Sequence, residues 1–62
     1  MRKKIKHIVN KYGVKLVSIM RNIQGTYDVE LDQNIYYKVQ ERMEKQIRDL
    51  GLINDIFYRD VI

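Results

Sequence analysis

Alternating carboxylates form the first group of residues that could do chemistry. Asp28, Glu30 and Asp32 occupy every second position, so on a β-strand their side chains would share one face. A hard cation such as Ca²⁺ binds several carboxylates, but its sites usually gather ligands around a sharp turn. We therefore predict a solvated acidic row that pairs with Arg59 or Lys15 across a sheet, and no metal site.

Nucleophilic side chains are scarce. The chain has one serine (Ser18), one threonine (Thr26), one histidine (His7) and no cysteine. Covalent catalysis needs a hydroxyl or thiol beside a base that a third group orients. Ser18 is expected in the middle of a strand and His7 on a basic helix, with no orienting carboxylate in the same segment. The sequence therefore predicts a protein that is not an enzyme and needs no cofactor.

Basic residues near the N-terminus are the strongest electrostatic feature. Through Arg21 the chain carries seven basic and no acidic side chains, whereas the remainder carries five basic and eight acidic ones. A nucleic-acid footprint would use these positive charges against phosphates. The candidate contacts are Arg2, Lys3, Lys4, Lys6 and Lys11. A solvated helix face, an anionic membrane surface and an acidic protein partner are the alternatives.

The elements that position these groups begin with a β-hairpin, whose strands are expected at 14–22 and 26–32. Asn22 suits the first position of a type I turn, and Gly25 suits the left-handed residue of a three-residue loop. The predicted pairs are Asn22 with Thr26, Arg21 with Tyr27, Ile19 with Val29 and Val17 with Leu31.

Two amphipathic helices are predicted at 2–12 and 33–50. Helical spacing relates Ile5, Ile8, Val9 and Tyr12 in the first, and Tyr36, Val39, Met43, Ile47 and Leu50 in the second. Gly13 and Gly51 suit left-handed C-terminal caps. Asp32 or Asn34 is expected to cap the N-terminus of the second helix.

The last segment fits either a strand or a short helix. We favour a strand at 54–61, because three strands close a sheet better than two. The predicted fold is a single small α+β domain, residues 1–62, in the order α-β-β-α-β. A right-handed crossover is expected to place the third strand beside the first. That arrangement is an antiparallel sheet of spatial order 2-1-3, with both helices on one face.

The small size of the chain favours association with a partner chain. A chain of 62 residues without cysteine has a thin stability margin and no disulfides to support it. Apolar residues also fall on the second sheet face, namely Leu16 and Met20 with Phe57 or Tyr58. Such a patch usually marks a partner site. We expect a homodimer or higher oligomer, formed through this face or through the edge of the third strand.

The function expected from these features is a protein-interaction or regulatory module. The alternative is a small nucleic-acid-binding protein that uses the basic helix. The sequence holds no run of about 18 apolar residues that would span a membrane, and no apolar segment of a signal peptide follows the basic start. We therefore expect a cytoplasmic protein.

Overall fold

The computed structural model describes residues 1–60 and contains the five elements in the predicted order. They are α1 (Arg2–Lys11), β1 (Leu16–Arg21), β2 (Tyr27–Gln33), α2 (Tyr37–Arg48) and β3 (Ile53–Asp60). A small α+β fold is confirmed. The last segment is a strand as far as residue 60, and the end of the predicted strand at residue 61 lies outside the described residues.

The expected strand order is wrong. The sheet has the order β1-β2-β3, with β2 in the centre, and β3 runs parallel to β2. The sheet is therefore mixed rather than antiparallel, and α2 connects two neighbouring parallel strands. The handedness rule for such a crossover fixes its sense of rotation. It does not say on which side of β2 the strand β1 lies, and the sequence pattern left that side undetermined.

Central placement suits β2 because its inward side chains are the most completely buried of the sheet. Val29 and Leu31 are both fully buried, and a central strand has neighbours on both sides to exclude water. Pairing of β3 with β2 begins where the Tyr27 N–H donates to the Leu52 carbonyl at 2.7 Å. Leu52 itself lies in the left-handed region at φ +63°.

The hairpin turn has the predicted three-residue loop. The Asn22 N–H donates to the Thr26 carbonyl, and the Gly25 N–H donates to the Asn22 carbonyl. Gly25 has φ +82°, which is the left-handed conformation that this loop requires. The side-chain Oδ1 of Asn22 accepts the N–H groups of Gln24 and Thr26 at 3.0 and 3.1 Å.

The hairpin register is confirmed near the turn and differs at the far end. Arg21 pairs with Tyr27 and Ile19 pairs with Val29, as predicted. A bulge between Leu16 and Ser18 then shifts the register, so that Leu16 rather than Val17 lies opposite Leu31. A bulge adds one residue to a strand and reverses the alternation beyond it. Leu16 consequently packs against the core.

The first helix ends with Gly13 in a left-handed cap, as predicted from the sequence. The Gly13 N–H donates to the Asn10 carbonyl and the Val14 N–H donates to the Val9 carbonyl, both at 3.1 Å. This pair of bonds is the Schellman motif, and Gly13 at φ +75° provides its left-handed residue. Val9 and Val14 are both buried, so the motif also places an apolar contact under the helix end.

The second helix is shorter than the predicted 33–50. It begins at Tyr37, and Tyr36 takes the N-cap position that was predicted for Asp32 or Asn34 but makes no side-chain capping bond. Asp32 is not the cap, because β2 continues to Gln33 and the Asp32 carboxylate accepts the Lys15 N–H at 2.8 Å. The Gln40 side chain instead accepts the Ile35 N–H at 2.9 Å and holds the segment that precedes the helix.

A single apolar cluster joins both helices to one face of the sheet. The predicted packing of both helices on one face is therefore confirmed. The buried members are Ile5, Val9, Val14, Val29, Leu31, Met43, Ile47 and Ile56. A hydrogen bond also links the two helices, since the Gln46 side-chain amide on α2 donates to the hydroxyl of Tyr12, the C-cap residue of α1, at 2.7 Å.

Candidate functional site

The sheet face opposite the helices carries a groove of about 480 Å³. We call this surface the open face and define it by the groove-lining residues Ser18, Met20, Asp28, Glu30 and Phe57. The two acidic side chains come from the central strand β2. The two large apolar side chains come from the edge strands β1 and β3. The groove therefore has an acidic floor between two apolar walls.

Hydrogen bonds hold the acidic floor in place. Glu30 accepts the Ser18 hydroxyl at 3.2 Å and pairs with the Arg59 guanidinium at 3.5 Å. Asp28 accepts the Asn54 side-chain amide at 2.9 Å. The predicted pairing of the acidic row with Arg59 is thus confirmed for Glu30. Since the Arg59 side chain is largely solvent-exposed and Glu30 is only half-buried, the pair contributes at most about 1 kcal/mol to stability.

Two of the four residues expected on this face are there. Met20 is 64% exposed and Phe57 is 49% exposed, and both line the groove. Leu16 and Tyr58 instead pack against the core, Leu16 because of the β1 bulge. The placement of Tyr58 follows from alternation, because it lies two residues after the buried Ile56. The sequence alone therefore indicated that Tyr58 and Ile56 share a face, whereas no residue in the sequence indicated the β1 bulge.

Tyr58 has a specific partner in the helix layer. Its hydroxyl donates a hydrogen bond to the carboxylate of Glu44 on α2. Burial and this bond to the Glu44 carboxylate both raise the pKa of the Tyr58 phenol well above its ordinary value, because both disfavour the phenolate. The pair fastens β3 to α2 and does not face the groove.

The candidate catalytic residues are far apart. Ser18 lines the groove on the open face, whereas His7 is exposed on α1 in the helix layer. Thr26 lies in the hairpin loop, where its hydroxyl accepts the Asn22 amide at 2.6 Å. Within residues 1–60, no three His, Asp or Glu side chains are grouped so as to hold a metal ion.

The basic cluster lies on the helix layer. Arg2, Lys3, Lys4, Lys6 and Lys11 are all exposed on α1, while Ile5 and Val9 on the same helix are buried. The first turn contains no acidic residue, and the N-cap residue Met1 makes no side-chain capping bond. The basic cluster and the open face are therefore separate surfaces in different layers of the fold.

Comparisons with known proteins do not assign this surface. The chain significantly matches no protein-family model, no curated protein and no solved structure. Over residues 1–60, neither helix has the length and apolar character needed to cross a membrane. The function must therefore be argued from the chain's own surfaces.

Proposed function

We propose that this chain is a small, non-enzymatic interaction module that self-associates through the open face. The observation that carries the proposal is the exposure of Met20 and Phe57, 64% and 49%, on the two walls of one groove. Large apolar side chains that share a concave surface are typical of partner sites. Covering them with a second copy removes apolar area from water, and full burial of such a side chain contributes about 1.5–3 kcal/mol.

The need for a partner is consistent with the size of the core. Among the residues that the structure describes, the buried cluster has eight members, all of them aliphatic or methionine. With no cysteine in the chain, no disulfide can add to this core. Association of small domains is a common substitute for such support.

Sedimentation equilibrium across the micromolar range tests the proposal. We expect the wild type to associate, and Met20→Lys and Phe57→Lys each to give a monomer. Ile23→Lys is the matched control, since Ile23 is a fully exposed apolar residue in the hairpin turn, outside the groove-lining set. A wild-type protein that remains monomeric throughout this range would contradict the proposal.

A second candidate function is nucleic-acid binding by α1. The observation in its favour is that α1 presents five basic side chains to solvent and contains no acidic residue. We expect mixed-sequence RNA or DNA to bind with a steep salt dependence. Replacement of Lys3, Lys4 and Lys6 by Ala should flatten that slope by up to about 0.9 per lost contact on duplex DNA.

The matched control for nucleic-acid binding replaces Lys38 and Arg42 on α2, which are also exposed, by Ala. This variant loses positive charge without touching α1. Equal weakening by both sets of substitutions would indicate a general charge effect and argue against α1 as the binding surface. No binding at low salt would end this second candidate.

A further inference from the structure

Charge is divided between the two layers of the fold. The two helices contain nine basic and two acidic side chains, and the rest of the chain contains three basic and six acidic ones. The open face contributes Asp28 and Glu30, the second of which pairs with Arg59, whereas α1 carries five Lys and Arg side chains and no acidic one. Each copy of the chain therefore offers two surfaces of opposite charge, on different layers.

The N-terminus of α1 lacks the charge that its dipole favours. Negative groups are stabilised near a helix N-terminus and positive groups are not. Here the first turn has no acidic residue and Met1 makes no side-chain capping bond. Arg2, Lys3 and Lys4 occupy that end instead. A carboxylate brought by another molecule would be favourable at this position.

The groove has the chemistry to receive the basic side chains of such a helix. Its walls come from β1 and β3, which flank the central strand, so the backbones beneath the two walls lie about 10 Å apart at the usual strand spacing. A helix with its side chains is about 10–12 Å across, so it would rest on both walls and reach the acidic floor through its lysine side chains. Lysine stems cover apolar surface while their ammonium groups reach polar neighbours. The Phe57 ring also attracts cations over its face.

We infer that copies of this chain associate head to tail, with the basic surface of α1 of one copy seated on the open face of the next. This inference rests on the proposed function, which makes the open face one side of the contact, and it identifies α1 as the other side. A symmetric face-to-face dimer would instead bring Asp28 and Glu30 towards the same residues of the second copy. Like charges in contact are unfavourable. A head-to-tail contact forms a ring or a filament.

Two complementary variants test the inference. The face variant carries Asp28→Asn and Phe57→Ser, which remove one negative charge and one apolar wall without making the face basic, and it leaves Glu30 with its partners Ser18 and Arg59. The helix variant carries Lys3→Glu and Lys6→Glu, which place acidic residues near the N-terminus of α1 and should support that helix. We expect each variant alone to associate about a hundredfold more weakly than the wild type.

An equimolar mixture of the two variants should restore one contact. The intact α1 of the face variant can bind the intact open face of the helix variant, and no further copy can add. We expect a one-to-one complex of two 7.5 kDa chains, measured by sedimentation velocity. A control variant with Lys38→Glu and Arg42→Glu changes net charge equally on α2 and should associate like the wild type.

The outcomes separate this inference from the proposed function. A wild type that never associates would overturn both. If the wild type associates and the helix variant associates equally well, the open face is a symmetric contact and only the head-to-tail inference fails. Two monomeric variants whose mixture forms no complex would also overturn it.

Discussion

The hydroxyl of Tyr58 donates a hydrogen bond to the Glu44 carboxylate, and this contact links the edge strand β3 to helix α2. Tyr58 is half-buried against the core, two residues beyond Ile56, the side chain by which β3 joins the buried cluster. The Tyr58–Glu44 pair therefore provides a specific polar anchor for the last element of the described chain.

Tyr58→Phe should lower the free energy of unfolding by about 1–2 kcal/mol, since it removes a hydrogen bond to a charged acceptor. The measurement is urea unfolding followed by circular dichroism at neutral pH. Tyr37→Phe is the control, because the Tyr37 side chain is 61% exposed. Equal stability of the two variants would show that the Tyr58–Glu44 bond contributes nothing.

Alkaline pH should weaken the fold through the same residue. The folded-state pKa of Tyr58 lies above its ordinary value of about 10, so the unfolded chain loses this proton at a lower pH than the folded chain. The contribution to stability is therefore complete below about pH 10 and falls as the pH rises further. Unfolding measured from pH 8 to 11 should show a smaller decline for Tyr58→Phe than for the wild type. Parallel declines would contradict the assignment.

Leu16 and Met20 should respond differently to truncation. Leu16→Ala removes a half-buried side chain that packs against the core and should cost about 1–3 kcal/mol, somewhat less than a fully buried leucine. Met20→Ala removes an exposed side chain and should change the unfolding free energy of the monomer by less than about 0.5 kcal/mol. Thermal unfolding at low protein concentration compares them. A larger loss of unfolding free energy for Met20→Ala than for Leu16→Ala would indicate that Leu16 lies on the open face instead.

Asn22 should be important for the hairpin turn. Its side-chain oxygen accepts two backbone N–H groups of the loop, so Asn22→Ala should destabilise the fold by about 1–2 kcal/mol. Asn22→Asp retains the accepting oxygens and loses only the donor to Thr26, so it should retain more than half of that stability. Chemical denaturation of the three proteins is the measurement. Indistinguishable Ala and Asp variants would contradict this role.

Leu52 offers a stabilising substitution. It is 62% exposed and has φ +63°, a conformation that costs a branched residue about 1 kcal/mol and that Asn tolerates better. We expect Leu52→Asn to raise the free energy of unfolding by about 0.5–1 kcal/mol. Ile23→Asn also removes an exposed apolar side chain, but Ile23 has no positive φ, so its stability should not change. A destabilised Leu52→Asn protein would argue against the strain.

Local signals in the sequence determined the elements and the turn. Gly13 and Gly25 adopt the left-handed conformations that they were expected to adopt, because no Cβ opposes that backbone there. Helical spacing of apolar residues identified the core sides of α1 and α2, and Ile5, Val9, Met43 and Ile47 are all buried. The basic cluster and its exposure followed from the same periodicity.

Tertiary structure alone decided the neighbours of each strand and the side of the sheet on which Leu16 lies. The side of β2 on which β3 packs depends on the whole sheet and its helix layer. Alternation within one strand indicates which face a side chain lies on, but not which strand is its neighbour. Pairing of β1 with β2 is regular from the turn to Ser18, and the bulge beyond it places Leu16 on the opposite face of the sheet from the one predicted. No residue type at that point indicates a bulge. Periodicity thus assigned each residue to an element, and alternation indicated that Tyr58 faces the core and Phe57 the open face, whereas the β1 bulge alone turned Leu16 from the open face to the core.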